Sequence, residues 1–177
     1  SDTDTVVVTV NNYPVVIANN TTICSGSSTS ICASGASGYQ WYQLPAWTPI
    51  TSGSCINVSP AVGATNYAVV GMNGLCSDTA SVSVTVFAMP VAIASNDTAF
   101  CTGGTATLKS SSTNATAINW YQLPAWSLVG STSPITVTPP AGITTYALVA
   151  MNGICSDTDT VVVTVNNYPC LLYTSDA

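Results

Sequence analysis

Cysteine and aspartate supply most of the reactive side chains of this 177-residue chain, which contains seven residues of each type. Histidine and glutamate are absent. Catalysis near neutral pH needs a side chain that exchanges protons there, and histidine and glutamate do so most often. A serine nucleophile would therefore have no base to activate it. We predict that the chain is not an enzyme and that it contains no catalytic residue.

The charge balance limits the partners. Lys109 is the one basic residue, and the net charge is −6. Nucleic acids and anionic membrane surfaces are both bound through clustered Lys and Arg, so neither is an expected partner. The longest apolar stretch, residues 86–94, is nine residues long and contains Pro90, which is too short to span a bilayer. We expect no direct membrane insertion.

The sequence repeats with an offset of 79 residues. W-Y-Q-L-P-A-W occurs at Trp41–Trp47 and again at Trp120–Trp126. The repeat predicts one domain at 15–90 and a second at 91–169, each ending in proline. Residues 1–14 are repeated letter for letter at 156–169, so we interpret them as the last strand of a truncated preceding copy. Residues 170–177, C-L-L-Y-T-S-D-A, resemble a translated sequencing adaptor of the kind left in metagenomic reads, which would make Cys170 non-native.

Val and Thr alternate with period two over much of the chain, and Pro, Gly and Ser interrupt the pattern about every ten residues. This pattern is typical of half-buried β-strands. Six or seven short strands in each copy predict an all-β, two-sheet sandwich, with Trp41 and Trp120 on its third main strand. Asn73-Gly74 and Asn152-Gly153 predict tight hairpins. In the second copy we expect strands at 91–94, 105–110, 118–122, 135–137, 145–151 and 159–165.

Several motifs within the copies are specific enough to suggest a family. I-C-S-G, Y-Q-W-Y, T-N-Y-A-V and N-G-L-C-S-D of the first copy, and their counterparts in the second, resemble the Ig-like/PKD-like tandem repeats of large secreted surface proteins of Bacteroidetes. The resemblance covers residues 15–169. It implies tandem immunoglobulin-like β-sandwich domains, export to the cell surface, and an adhesin-like or stalk-like role.

Four cysteines recur between the copies, and two do not. Cys32 and Cys55 occur in the first copy only, so we predict that they bond to each other across neighbouring strands. For the shared cysteines we favour Cys24–Cys76 and Cys101–Cys155, each within a domain. The alternative is a bond from Cys24 to Cys155 between adjacent domains. Without histidine or a C-x-x-C motif a zinc site is not expected, and we predict no cofactor. Disulfides indicate an oxidising compartment outside the cytoplasm.

The aspartates allow three interpretations. Asp2 and Asp4, and likewise Asp157 and Asp159, could contribute oxygen ligands to calcium at a domain junction. We favour instead solvated charges that protect an edge strand, and predict no metal site. In addition, four Asp-Thr pairs that are followed by Val or Ala resemble the O-glycosylation motif of Bacteroidetes secreted proteins, with modification at Thr5, Thr79, Thr98 and Thr160.

Two tryptophans are the candidate ligand contacts. Trp47 and Trp126 each follow a proline just after the strand that carries the core tryptophan. One interpretation is that they close the end of the hydrophobic core. The other is that they lie in an exposed loop and stack on a sugar ring.

Three functional hypotheses follow. The leading one is a structural or adhesive spacer segment of a long secreted or cell-surface repeat protein. The second is a carbohydrate-binding array that uses Trp47 and Trp126. The third is an accessory region of a secreted hydrolase. The expected partners are a surface polysaccharide or another cell-surface protein.

Overall fold

The computed structural model describes residues 2–167, and all regular structure within them is β-strand. The chain divides into two compact units, Ser1–Phe87 and Ala88–Ala177, here called unit 1 and unit 2. The all-β prediction is therefore confirmed. Nothing in the described part of the chain is a helix long and apolar enough to cross a membrane.

Unit 1 is a two-layer sandwich. One layer is a five-stranded sheet with the order β2-β8-β7-β4-β5, and the other is a three-stranded sheet with the order β1-β3-β6. Neighbouring strands are antiparallel except β2, which runs parallel to β8. The strands are β1 (Ile17–Ala18), β2 (Thr21–Cys24), β3 (Thr29–Ser34), β4 (Gly38–Gln43), β5 (Thr48–Ser52), β6 (Cys55–Val58), β7 (Gly63–Asn73) and β8 (Cys76–Phe87).

Unit 2 repeats this arrangement with one break. Its five-stranded sheet has the order β10-β17-β16-β13-β14, and its other layer consists of the pairs β9–β12 and β11–β15. The break falls at Lys109, opposite Pro134, where proline has no N–H to donate to a ladder. The strands are β9 (Val91–Ala94), β10 (Thr98–Cys101), β11 (Ala106–Leu108), β12 (Ser110–Thr113), β13 (Ala117–Gln122), β14 (Ser127–Gly130), β15 (Ile135–Val137), β16 (Gly142–Asn152) and β17 (Cys155–Asn166).

Strand alternation builds each core. In β17, Val161 and Val163 are fully buried and Val165 is 4% exposed, while the intervening residues point away from the core. Trp41 and Trp120 are fully buried on β4 and β13, as predicted. One large indole thus fills the centre of each core, between the two layers of strands.

Three strands of unit 2 were not predicted. One is β12, most of which lies beyond the predicted strand at 105–110. The other two are β10 and β14, which are short and lie at the two edges of the five-stranded sheet. Each hairpin turn is also one residue further along than predicted. Asn73 pairs with Cys76, so the turn residues are Gly74 and Leu75, and Gly74 has a φ of 59°. Glycine at the first turn position is the requirement of a type II′ hairpin.

Residues 2–14 do not form a strand. Val6, Val8 and Val10 are 80–88% exposed, because no neighbouring strand pairs with this segment. The prediction that residues 1–14 end a preceding copy stays a prediction. Residues 170–177, including Cys170, lie outside the described residues.

Candidate functional site

The W-Y-Q-L-P-A-W motif forms a four-residue turn between β4 and β5. Gln43 and Thr48 are the last pair before the turn, which contains a cis Leu44–Pro45 peptide bond. The Leu44 N–H donates to the carbonyl of Asn66 at 2.9 Å and so fixes the turn to β7. Unit 2 builds the same turn, with the Leu123 N–H donating to the Thr145 carbonyl at 2.9 Å.

Trp47 occupies an unusual backbone conformation in this turn. Its φ is 54°, and that of Trp126 is 53°. The left-handed region is rare for a bulky residue and costs on the order of 1 kcal/mol. Both copies retain it, and the conformation turns each indole outward from the sandwich.

Each indole is half-exposed, which makes the core-closing interpretation wrong. Trp47 is 50% exposed and Trp126 is 54% exposed. The Trp47 ring packs on Tyr42, with ring centroids 5.5 Å apart and planes tilted by 59°. Trp126 contacts Tyr121 in the same way, at 5.7 Å and 59°. The tyrosine fixes one side of the indole and the remaining surface faces solvent.

An open groove of about 630 Å³ lies beside Trp47. Amide and hydroxyl groups stand at its edge next to apolar side chains. It is lined by Gln43, Leu44, Pro45, Trp47, Ala64, Thr65 and Asn66. An aromatic face combined with a few neutral hydrogen-bonding groups is suited to an uncharged polar ligand. At the equivalent positions, unit 2 has Ile143 in place of Ala64 and Thr145 in place of Asn66.

The disulfide predicted between Cys32 and Cys55 is confirmed. The two residues are register partners on β3 and β6, and both side chains lie on the exposed face of that sheet. Unit 2 has Lys109 and Pro134 at the two positions.

The predicted bond between Cys24 and Cys76 is wrong. Cys76 is a free thiol, whereas Cys24 is disulfide-bonded. The register gives the physical reason: Cys24 pairs with Phe87, which is eleven residues along β8 from Cys76. At about 3.3 Å per residue this separation is roughly 36 Å, whereas a disulfide needs Cα atoms within about 7 Å.

The same geometry makes the Cys101–Cys155 prediction wrong. Cys101 pairs with Asn166, eleven residues along β17 from Cys155. Both cysteines are disulfide-bonded. The alternative, a bond between cysteines of consecutive copies, stays a prediction.

Three aspartates hold edge strands in place. Asp78 Oδ2 accepts a hydrogen bond from the Val16 N–H at 2.8 Å, and Asp157 Oδ2 accepts one from the Ala92 N–H at 2.9 Å. Asp159 Oδ2 likewise accepts from Ala94 at 2.8 Å. Of the carboxylates that the calcium interpretation names, Asp157 thus accepts a main-chain N–H at one oxygen and Asp159 at both. Within residues 2–167 no three His, Cys, Asp or Glu side chains cluster to hold a metal ion.

The four candidate O-glycosylation threonines are all exposed. Thr79 and Thr160 lie on the outer faces of β8 and β17, and Thr98 begins β10. Thr5 lies in the N-terminal segment. Their hydroxyls can be reached by a modifying enzyme, and glycosylation stays a prediction.

Among the residues that the structure describes, two buried tyrosines have a perturbed pKa. Burial raises the pKa of Tyr67 above its ordinary value, and burial has the same effect on the pKa of Tyr146. Both belong to the hydrophobic cores, so they are not candidates for chemistry at the surface.

Comparison with solved structures supports the fold. Fibronectin(III)-like modules of CbhA from Clostridium thermocellum match with a TM-score of 0.56 at 14% identity, covering 92% of this chain and all of that one. Extracellular domains 3–5 of Drosophila OTK match with a TM-score of 0.65 at 11% identity, covering 88% of this chain and 63% of that one. The titin fragment I67–I69 matches with a TM-score of 0.54 at 12% identity, covering 90% and 67%.

No family model matches the sequence. No curated protein matches it either. At these identities the structural matches establish architecture alone: the chain is a tandem pair of immunoglobulin-like β-sandwich domains. Folds of this kind host many unrelated functions, so the architecture does not by itself assign one.

Sequence reasoning located the tryptophans and the Cys32–Cys55 bond but missed two parts of this surface. Tyr42 and Tyr121 support the indoles, and the repeated W-Y spacing was the available signal for them. The aspartate–strand hydrogen bonds had no sequence signal, because each joins residues more than sixty positions apart.

Proposed function

We propose that this chain is a non-catalytic structural or adhesive segment of a long, secreted or cell-surface repeat protein. The observation that carries the proposal is the repetition of one complete sandwich, with its turn aromatics and hairpin cysteine, at a spacing of 79 residues. Tandem repeats of a single domain commonly provide length and multiple copies of one surface. Exposed disulfides favour a location outside the cytoplasm.

If the segment is a mechanical spacer, it should unfold one unit at a time when it is stretched. We expect single-molecule pulling to give one discrete event per unit. In unit 1 the Cys32–Cys55 bond closes a 23-residue separation. Reduction should therefore lengthen the event of unit 1 by about 80 Å, at roughly 3.6 Å per residue.

The matched control is a Cys32→Ser/Cys55→Ser variant, whose event should have the same length with and without reductant. Gradual extension without discrete events would contradict a mechanical role, because a spacer that yields continuously cannot hold a distal region at a set distance.

Carbohydrate binding is the second candidate, and the half-exposed tryptophans favour it. The left-handed backbone conformation of each tryptophan costs energy, and the exposed face of its indole offers a platform for stacking on a sugar ring. Two copies in one chain would raise the affinity for a repeating polysaccharide by avidity.

The test is a screen of the intact chain against neutral polysaccharides. We expect the Trp47→Ala/Trp126→Ala double variant to weaken binding at least about 10-fold. Either single variant should still bind through its remaining tryptophan and should lose only the gain in affinity that comes from two linked sites. The control is Leu75→Ala/Ile154→Ala, which removes exposed apolar side chains at the hairpin turns. If both double variants bind as the parent does, the tryptophans are not a sugar site.

A further inference from the structure

Cys76 is the first residue of β8 and follows the turn of the β7–β8 hairpin. We call this end of the domain the hairpin end of unit 1. It is a free thiol and partly exposed. Cys155 takes the same place in unit 2, directly after the β16–β17 hairpin, and it is disulfide-bonded. Two copies of one repeat thus place a cysteine at the same point, and in one of them it is bonded.

The other recurring cysteine lies at the opposite end of each unit. Cys24 is the register partner of Phe87, and Cys101 is the register partner of Asn166. Phe87 and Asn166 both stand three residues before the proline that ends a copy. Each copy therefore carries one cysteine at its hairpin end and one beside the last residues of its final strand.

The N-terminal segment shows what lies next to Cys76. Asn11 precedes Pro14 by three residues, so it takes the repeat position of Asn166 in the copy that would come before unit 1. The Cys76 Sγ–H donates to the Asn11 carbonyl at 3.7 Å. The neighbouring Asn73 Nδ2 donates to the Asn12 carbonyl at 3.4 Å. The hairpin end of unit 1 thus contacts the main chain of the N-terminal segment at Asn11 and Asn12.

Unit 2 shows which residue lies beside that strand position. Cys101 pairs with Asn166 in parallel register, and the Thr102 N–H donates to the Asn166 carbonyl at 3.0 Å. Neighbouring strands lie about 4.8 Å apart. A cysteine of a preceding copy at the position of Cys101 would therefore stand one strand spacing from Asn11, the residue whose carbonyl Cys76 contacts.

We propose that Cys76 forms a disulfide with the cysteine of a preceding copy that corresponds to Cys101 and Cys24. The bond joins the two sulfur atoms and releases two protons and two electrons. A disulfide oxidant such as oxidised glutathione accepts them and becomes two thiols. Along a longer array, every copy would be bonded in this way to the copy before it. The inference concerns covalent linkage and does not depend on the proposed sugar binding.

The test uses the chain extended at its N-terminus. Because residues 156–169 equal residues 1–14, placing residues 91–155 before Ser1 completes one further copy without any new sequence. The protein is oxidised with a glutathione redox buffer, blocked with maleimide and digested without reductant. We expect a peptide pair that joins Cys76 to the added copy's Cys101, and at least about 10-fold less maleimide on Cys76 than in the original chain.

A second extension makes the test independent of one copy's folding. Placing residues 15–90 before Val15 puts a copy of the first domain ahead of unit 1, and we expect the added copy's Cys24 to bond Cys76. The control is Cys101→Ser, or Cys24→Ser, in the added copy only, which should return Cys76 to full labelling. If Cys76 keeps its thiol in both extended chains while hydrogen exchange shows the added copies folded, the proposal is overturned. It is likewise overturned if Cys76 bonds a different cysteine.

Discussion

The sequence from Asp2 to Asn11 occurs again, unchanged, from Asp157 to Asn166, and the two segments differ completely in structure. The later segment lies within β17, paired with β16 on one side and β10 on the other. The earlier one forms no strand. Val6, Val8 and Val10 are 83%, 80% and 88% exposed, whereas Val161, Val163 and Val165 are 0%, 0% and 4% exposed.

This difference shows that strand propensity alone does not make a strand. Val-Thr alternation fits a pleated, half-buried surface, but it stabilises that conformation only where a partner strand and a core are present. β17 has both, because β16 is joined to it by a two-residue turn. Residues 2–11 have no such partner in the described chain, and their apolar side chains face solvent.

The largest expected difference between the two segments is in the effect of a buried charge on the free energy of unfolding. Val163→Asp places a carboxylate in the core of unit 2, and we expect a loss of about 4 kcal/mol in the free energy of unfolding. Val8→Asp, its counterpart, should change stability by less than about 0.5 kcal/mol. Urea unfolding followed by hydrogen exchange mass spectrometry, which resolves the two units, measures both. Equal effects would show that residues 2–11 are packed in solution.

A partner for the earlier segment should remove the difference. In the chain extended by residues 91–155 before Ser1, residues 2–11 should exchange their amide hydrogens at least about 100-fold more slowly than in the original chain. The physical reason is that the added residues supply the counterparts of β16 and β10. Extension by the same residues in scrambled order is the control. Unchanged exchange would mean that the repeat does not fold as a unit with this strand.

The aspartate that holds an edge strand should have a smaller effect. Asp157→Ala removes the acceptor of the Ala92 N–H, and we expect a loss of about 1.5 kcal/mol in unit 2. Asp2→Ala changes the same sequence position in the exposed segment and should have no measurable effect. Thermal unfolding of the two variants measures both effects. If Asp157→Ala is as stable as the parent protein, Asp157 does not hold the edge strand in place.

The smallest of the four expected effects is a loss of stability of unit 2 at alkaline pH. Tyr146 pairs with Val161, and burial raises its pKa. The unfolded tyrosine loses its proton from about pH 10 upward while the folded one keeps it, so stability should be constant below that pH and fall above it. Tyr67 predicts the same behaviour for unit 1. Tyr146→Phe should remove the decline in unit 2 only, measured as urea midpoint against pH.

Much of the fold followed from the sequence because its signals are local. Period-two alternation located the long strands, and Trp41 and Trp120 identified the core. The edge strands β10 and β14 were missed because short edge strands are held by one neighbour and need no strong pattern of their own. The turn shifted by one residue because glycine, with its positive φ, takes the first turn position in place of asparagine.

The site was predicted less well. The repeated W-Y-Q-L-P-A-W motif drew attention to Trp47 and Trp126, but no local pattern predicts the left-handed backbone at these two residues. Cys32–Cys55 was predictable from the joint absence of both residues in the second copy. The pairing Cys24–Cys76 was not excluded by sequence alone, because only the strand register shows that the two residues lie at opposite ends of the unit.

The sequence by itself determined the composition of a sandwich: its alternating strands, its repeat, its core tryptophans, and the lack of histidine and glutamate. Tertiary structure alone decided which way Trp47 faces, which cysteines can meet, and whether one sequence is a strand or an exposed segment. The reason is that alternation and residue type act within a few residues, whereas strand pairing, burial and disulfide reach depend on neighbours far along the chain.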